Sequence, residues 1–191
     1  MFFMSFNLYY VSSNKFKLQM TQKFFDKFAP EINLIQATLD FIEPQIDNQV
    51  DIAVLKAKQA YLKYQRPLLV DDIGFYFDKY NNFPGTITGL VSKGLAYEGI
   101  KRLYDIGDTG FLRIIIVYIT NIDEYKIFDC KTDCSLIKPE KIIDDTNNVF
   151  IQIGIPIGYN QTIYDLMPTD FFYDVMPRNK ALKQFLNYYK N

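Results

Sequence analysis

The chain has 191 residues, 49% hydrophobic and 17% aromatic, with 21 Lys and Arg against 22 Asp and Glu for a formal net charge of −1. That composition suits one globular domain with a sizeable core and excludes disorder and collagen-like repeats, and the balanced charge offers no cationic footprint for duplex nucleic acid or an anionic membrane surface. Histidine is absent, which removes every Ser/His/Asp or Cys/His mechanism and every imidazole-bound zinc, leaving carboxylates, lysines and a hard cation as the means of any catalysis.

Two cysteines, Cys130 and Cys134, are too few for a secreted disulfide framework or a zinc site and read as thiols in a reducing cytosol. The apolar opening Met1-Phe-Phe-Met-Ser-Phe6 has neither the basic start nor the long apolar run of a signal peptide. No stretch approaches the roughly 20 apolar residues of a transmembrane helix. The expectation is a soluble protein of the cytoplasm.

Leu8–Val11 predicts a strand. Ser12-Ser13-Asn14 then supplies capping residues for a helix over Lys15–Phe28, whose Leu18, Phe24, Phe25 and Phe28 recur at helical spacing. Pro30 ends it, Ile32–Leu39 reads as a second strand, and an acidic loop around Glu43-Pro44 leads to a second helix from near Gln49. Val50, Val54, Ala57, Tyr61 and Tyr64, at steps of four, three, four and three, predict its buried stripe and leave Lys56 on a flank. Pro67–Val70 is an apolar strand that meets Asp71-Asp72-Ile73-Gly74, placing two carboxylates at its carboxyl end. Asn81–Gly85 is turn chemistry, and Thr88–Tyr104 predicts one or two short helices. Phe111–Thr120 is the strongest strand signal and pairs through Asn121–Asp123 with Tyr125–Phe128 as a hairpin. A strand over Val149–Ile155, a proline-bounded stretch at Met167-Pro168 and a helix over Asn179–Tyr189 close the chain. This order predicts a single α/β domain, residues 1–191, with a mixed sheet and a βαβαβ first half.

Three groups carry candidate chemistry. Ser12, Asn14 and Lys17 lie at a strand-to-helix turn, where backbone N–H groups, the helix dipole and a lysine suit a phosphate, although the same residues cap and solvate ordinary helices. Lys56, off the apolar stripe, reads by position as a snorkelling surface lysine in preference to a ligand contact. Of Asp71 and Asp72, alternation along a strand lets one face a given cleft, and Asp72, closest to the glycine and the carboxyl end of the strand, is favoured as that one; by spacing alone the pair reads equally as turn caps or as a metal ligand or base. Together two cationic positions and a carboxylate are the minimum for a polyphosphate with Mg²⁺.

Ser12-x-Asn14-x-x-Lys17, Ala53-Val-Leu-Lys56-Ala-Lys58, Leu69-Val-Asp71-Asp72-x-Gly74 and Phe83-Pro84-Gly85, in this order, resemble the inosine triphosphate pyrophosphatase family, which hydrolyses deaminated purine nucleoside triphosphates such as ITP, dITP and XTP. The resemblance implies a two-lobed, elongated α/β fold with a central nucleotide cleft, usually a homodimer, and cleavage between the α and β phosphates. It implies that Ser12, Asn14, Lys17 and Lys56 hold the triphosphate, that Asp72 with Lys56 is catalytic, and that Asp72, Asp71 and Glu43 hold Mg²⁺, or Mn²⁺ in its place. In the base-recognising half the family's Phe-Gly-aromatic-Asp-Pro is replaced by Val149-Phe150-Ile151-Gln152-Ile153, and of its Ser-His-Arg only Arg178 survives. Phe150 and Arg178 are the remaining candidates for base contacts. The alternatives are a catalytically impaired nucleotide-binding or interaction protein on the same fold, and an unrelated α/β enzyme using Asp71 and Asp72 on another phosphate ester.

Overall fold

Asn14 and Asn48 start the first two helices of the computed structural model, which describes residues 6–143 and 148–190, so that Met1–Ser5 of the apolar opening lie outside the described residues. Each Asn is extended, and its side-chain oxygen accepts from an N–H of the first helical turn, the donors that no intrahelical carbonyl can reach. The elements β1 (Phe6–Val11), α1 (Lys15–Phe28), β2 (Ile32–Ala37), α2 (Gln49–Tyr64) and β3 (Leu68–Phe77) form the predicted βαβαβ run. β1 pairs in parallel with both β2 and β3.

β4 (Pro84–Gly85), α3 (Thr88–Ile100), β5 (Thr109–Asn121), β6 (Glu124–Leu136), α4 (Val149–Ile153), β7 (Gly154–Pro156), α5 (Phe172–Val175) and α6 (Pro177–Lys190) complete the chain. The seven strands make one mixed sheet in the order β2-β1-β3-β5-β6-β7, with β4 antiparallel on β3. The chain divides into two compact units: Met1–Asp72, Ile115–Asp129 and Ala181–Asn191 form the first, and Ile73–Ile114 with Cys130–Lys180 the second.

Strand alternation sets the core of the first unit. Val11, Leu68, Val70, Ile115, Val117 and Ile119 pack with Ala53, Ala57 and Ala60 of α2. Tyr118 lies on the other face, its ring 5.2 Å from that of Phe185 on α6, which also meets Phe25 of α1 at 6.2 Å. In the second unit Phe75 stacks on Phe150 at 4.4 Å and 7°. A Cβ added at Gly74 would stand 2.7 Å from the Gly85 carbonyl oxygen, so a side chain there would collide with the β4 backbone.

Several sequence expectations are corrected here. Val149–Ile153 is a helical turn, not a strand, and only Gly154–Pro156 pairs, antiparallel to β6. All five helical residues are buried, and an apolar run without alternation does not distinguish the two states. β3 does not end at Asp71-Asp72 but continues through Gly74 to Phe77. α2 buries Gln49, Ile52, Ala53, Lys56, Ala57 and Ala60, while Val50, Val54, Tyr61 and Tyr64 flank the core. The alanines let the helix sit close to the sheet, and the bulkier residues fall to its margins.

Candidate active site

The turn from β1 into α1 is cross-braced. Asn14 Oδ1 accepts from the Lys17 N–H at 3.1 Å, Ser12 Oγ accepts from the Asn14 N–H at 3.2 Å, and the Ser12 N–H donates to the Ala37 carbonyl at 2.9 Å. Helix geometry leaves the N–H groups of Lys15 and Phe16 without an intrahelical acceptor, at the positive end of the helix dipole. Lys17 reaches back to the sheet, its Nζ 2.7 Å from Asp71 Oδ1. The other oxygen, Asp71 Oδ2, accepts from the Tyr10 hydroxyl at 2.8 Å. The Asp71 side chain is 1% exposed and that of Lys17 18%, so the carboxylate is a buried strut and the ammonium retains access to solvent.

Asp72 follows on the same strand and therefore projects to the opposite face, toward α2. Lys56 Nζ lies 3.0 Å from Asp72 Oδ1 and 3.0 Å from Glu43 Oε1, with the Phe41 ring centroid 5.2 Å away. Gln49, fully buried at the start of α2, donates from Nε2 to the Asp72 carbonyl at 3.1 Å. Adjacent strand residues thus serve two lysines on two helices. Lys56 is buried, contrary to the surface position its flank suggested.

Burial pulls the Lys56 ammonium down, but Asp72 and then Glu43 more than offset it, so its pKa stands above the ordinary 10.5. It is a permanent cation near neutral pH and suits charge neutralisation, not proton abstraction. Asp72 Oδ2 and Glu43 Oε2 accept no hydrogen bond from the described residues. The described residues include no group of three or more metal-ligating side chains of the His, Cys, Asp or Glu type. Two carboxylates with open oxygens fit a Mg²⁺ ion that fills its shell with substrate phosphates and water, and do not fit a cage made by the protein alone.

Ser12, Asn14, Lys17, Glu43, Lys56, Asp71 and Asp72 all belong to the first unit, and Phe150 and Arg178 to the second. Phe150 is 5% exposed and stacked on Phe75, and Arg178 is 1% exposed near the start of α6. Sequence reasoning missed Tyr10, an ordinary strand residue by type, and Gln49, whose burial as a polar residue at a helix start had no sequence signal.

The model of the Ham1 family matches residues 8–188. The chain belongs to the Ham1 family. This agrees with the resemblance carried by the four N-terminal motifs. Relatives of this Ham1 protein include the dITP/XTP pyrophosphatase of Thermococcus kodakarensis, 26% identical with 96% of this chain and 97% of that one covered. The inosine triphosphate pyrophosphatase of Candida glabrata is 31% identical, with 91% of each covered. Among solved structures, a HAM1 protein from Coxiella burnetii superposes with a TM-score of 0.76 at 18% identity, over 97% of this chain and 98% of that one; it supports the mixed α/β fold.

Proposed function

We propose that the chain is a nucleoside triphosphate pyrophosphatase, which with water converts a nucleoside triphosphate to the monophosphate and pyrophosphate, acting on deaminated or otherwise modified purine nucleotides. The observation that carries this reading is the placement of Asp71 and Asp72 on one strand, each holding a lysine from a different helix, in a chain whose relatives are named for that activity. Lys17, the Asn14-capped turn and Lys56 hold the triphosphate and offset its charge. Asp72 and Glu43 would hold the divalent cation, Mg²⁺ in this reading with Mn²⁺ as substitute, and Asp71 serves to aim Lys17. When bound, the cation would supply further neutralisation of phosphate charge. As water attacks phosphorus and the bond to the α–β bridging oxygen breaks, Asp72 accepts the proton released and pyrophosphate departs with the electron pair. No histidine is needed for this step. Among the described residues no helix is long and apolar enough to cross a membrane. A single functional domain, a homodimer and a cytoplasmic location belong to the same reading.

The burial of Phe150 against Phe75 and of Arg178 favours a second reading, a nucleotide-binding or interaction protein with impaired catalysis, since base discrimination rests on hydrogen bonds and stacking that accessible groups must supply. Pyrophosphate release from ITP, dITP, XTP, GTP, ATP, UTP and CTP with Mg²⁺ separates the two. Turnover that ranks the bases supports the enzyme, and binding without release supports the alternative.

A further inference from the structure

Glu43, which would complete the cation's donor set, stands on the least regular part of the first unit. Residues 38–46 form neither helix nor strand. The Glu43 side chain is 48% exposed, so its ion pair with Lys56 is a weak anchor. Asp72 needs no such help, because it is built into a strand. Something else must bring Glu43 to within 3.0 Å of Lys56.

Gln59, one turn beyond Lys56 on α2, answers this. Its Nε2 donates to the Ile42 carbonyl at 2.8 Å, and its Oε1 accepts from the Ile42 N–H at 3.0 Å. One primary amide therefore satisfies both backbone groups of one residue, as a neighbouring strand would. Upstream, the Thr38 carbonyl accepts from the Tyr64 hydroxyl at 2.6 Å and from Lys63 Nζ at 3.1 Å. Downstream, Asn48 caps α2. Glu43 follows the middle pin directly and precedes Pro44, whose ring restricts the preceding residue to extended conformations. Pinned on one side and restricted on the other, Glu43 has little freedom of backbone direction.

We propose that Gln59 is a positioning residue: its two hydrogen bonds to Ile42 present Glu43 to Lys56 and to the divalent cation, and so set the affinity for that cation without Gln59 touching it. The proposal rests on the function proposed above, in that Glu43 is a cation donor there. Partners that orient metal ligands are worth roughly 10-fold or more in metal affinity, and two residues that act as one unit show non-additive losses.

The test compares the full chain with Gln59→Ala, Glu43→Ala and the double variant. Hydrogen exchange followed by NMR should show the Ile42 amide protected in the wild type and exposed in Gln59→Ala, with the β1 and β3 amides unchanged. Calorimetric titration with Mg²⁺, in the presence of a non-hydrolysable triphosphate analogue, should show affinity lowered about 10-fold in Gln59→Ala, and the double variant no weaker than Glu43→Ala alone. Equal Ile42 exchange in wild type and Gln59→Ala overturns the proposal. So do an unchanged Mg²⁺ affinity, an additive loss in the double variant, or a wild type that binds no Mg²⁺. Failure of the functional reading is seen separately, as a wild type that binds Mg²⁺ but releases no pyrophosphate; the exchange and titration results then still decide the clamp.

Discussion

Replacing Lys56 with Met keeps most of the buried stem and removes the charge. Asp72, with a side chain 11% exposed, then loses its cation, and Glu43, 48% exposed, loses its ion pair while its backbone stays pinned through Ile42. Breaking a fully buried ion pair costs about 3–5 kcal/mol. Here Glu43 can turn to water and Asp72 keeps one open oxygen, so we expect about 2 kcal/mol, or roughly 4–8 °C in Tm for a chain of this size. Because the folded pKa of Lys56 lies above its ordinary 10.5, the stability that protonated Lys56 contributes is fully present below pH 10.5 and is lost as pH rises through the folded value. Urea unfolding of wild type and Lys56→Met should therefore differ by a constant amount from pH 7 to 10, with the gap closing above that. Turnover in the variant should fall by about 10²–10³, the range for losing one charge stabiliser aimed at the reacting group. An unchanged urea midpoint, or a stability gap that widens above pH 10.5, would refute this account of the Lys56 cluster.

Tyr10→Phe removes the hydroxyl from Asp71 Oδ2 and should cost about 1–2 kcal/mol in unfolding experiments, with KM for the triphosphate raised as Lys17 loses its fixed strut. Gly74→Ala places a methyl 2.7 Å from the Gly85 carbonyl and should destabilise by about 1–3 kcal/mol through forced backbone movement, read as a lower Tm. Burial pushes the Cys134 thiol from 9.0 up to about 12, so mass spectrometry after iodoacetamide treatment at pH 8 should find it unmodified in the native protein and alkylated in urea. The same shift contributes stability below pH 9 that is lost as pH rises toward 12.

The N-terminal half was legible because its signals are local. Ser12-Ser13-Asn14 supplies the cap, Phe24, Phe25 and Phe28 repeat at helical spacing, and Leu8–Val11 and Pro67–Val70 are short β-favouring runs. Tertiary context decided what was misread. Helical spacing predicts a stripe of Val50, Val54, Ala57, Tyr61 and Tyr64, of which Ala57 is buried, but the sheet takes Ala53 and Ala60 beside it for close approach and draws Lys56 in because Asp72 lies on that face. β3 runs past its two acids because each finds a lysine, a pairing of distant residues that no window of sequence contains. Val149–Ile153 has no alternation to mark its state, and the four residues of α5 fall below the length at which helical periodicity can be seen.

Asp72→Asn tests the central claim most directly. Asn keeps the shape and an oxygen for Lys56 but offers neither a charged donor for a cation nor a base for water. With saturating ITP and Mg²⁺, pyrophosphate release should fall by at least about 10²-fold while the folded structure persists by circular dichroism. Turnover in the variant close to that of the wild type would contradict the account.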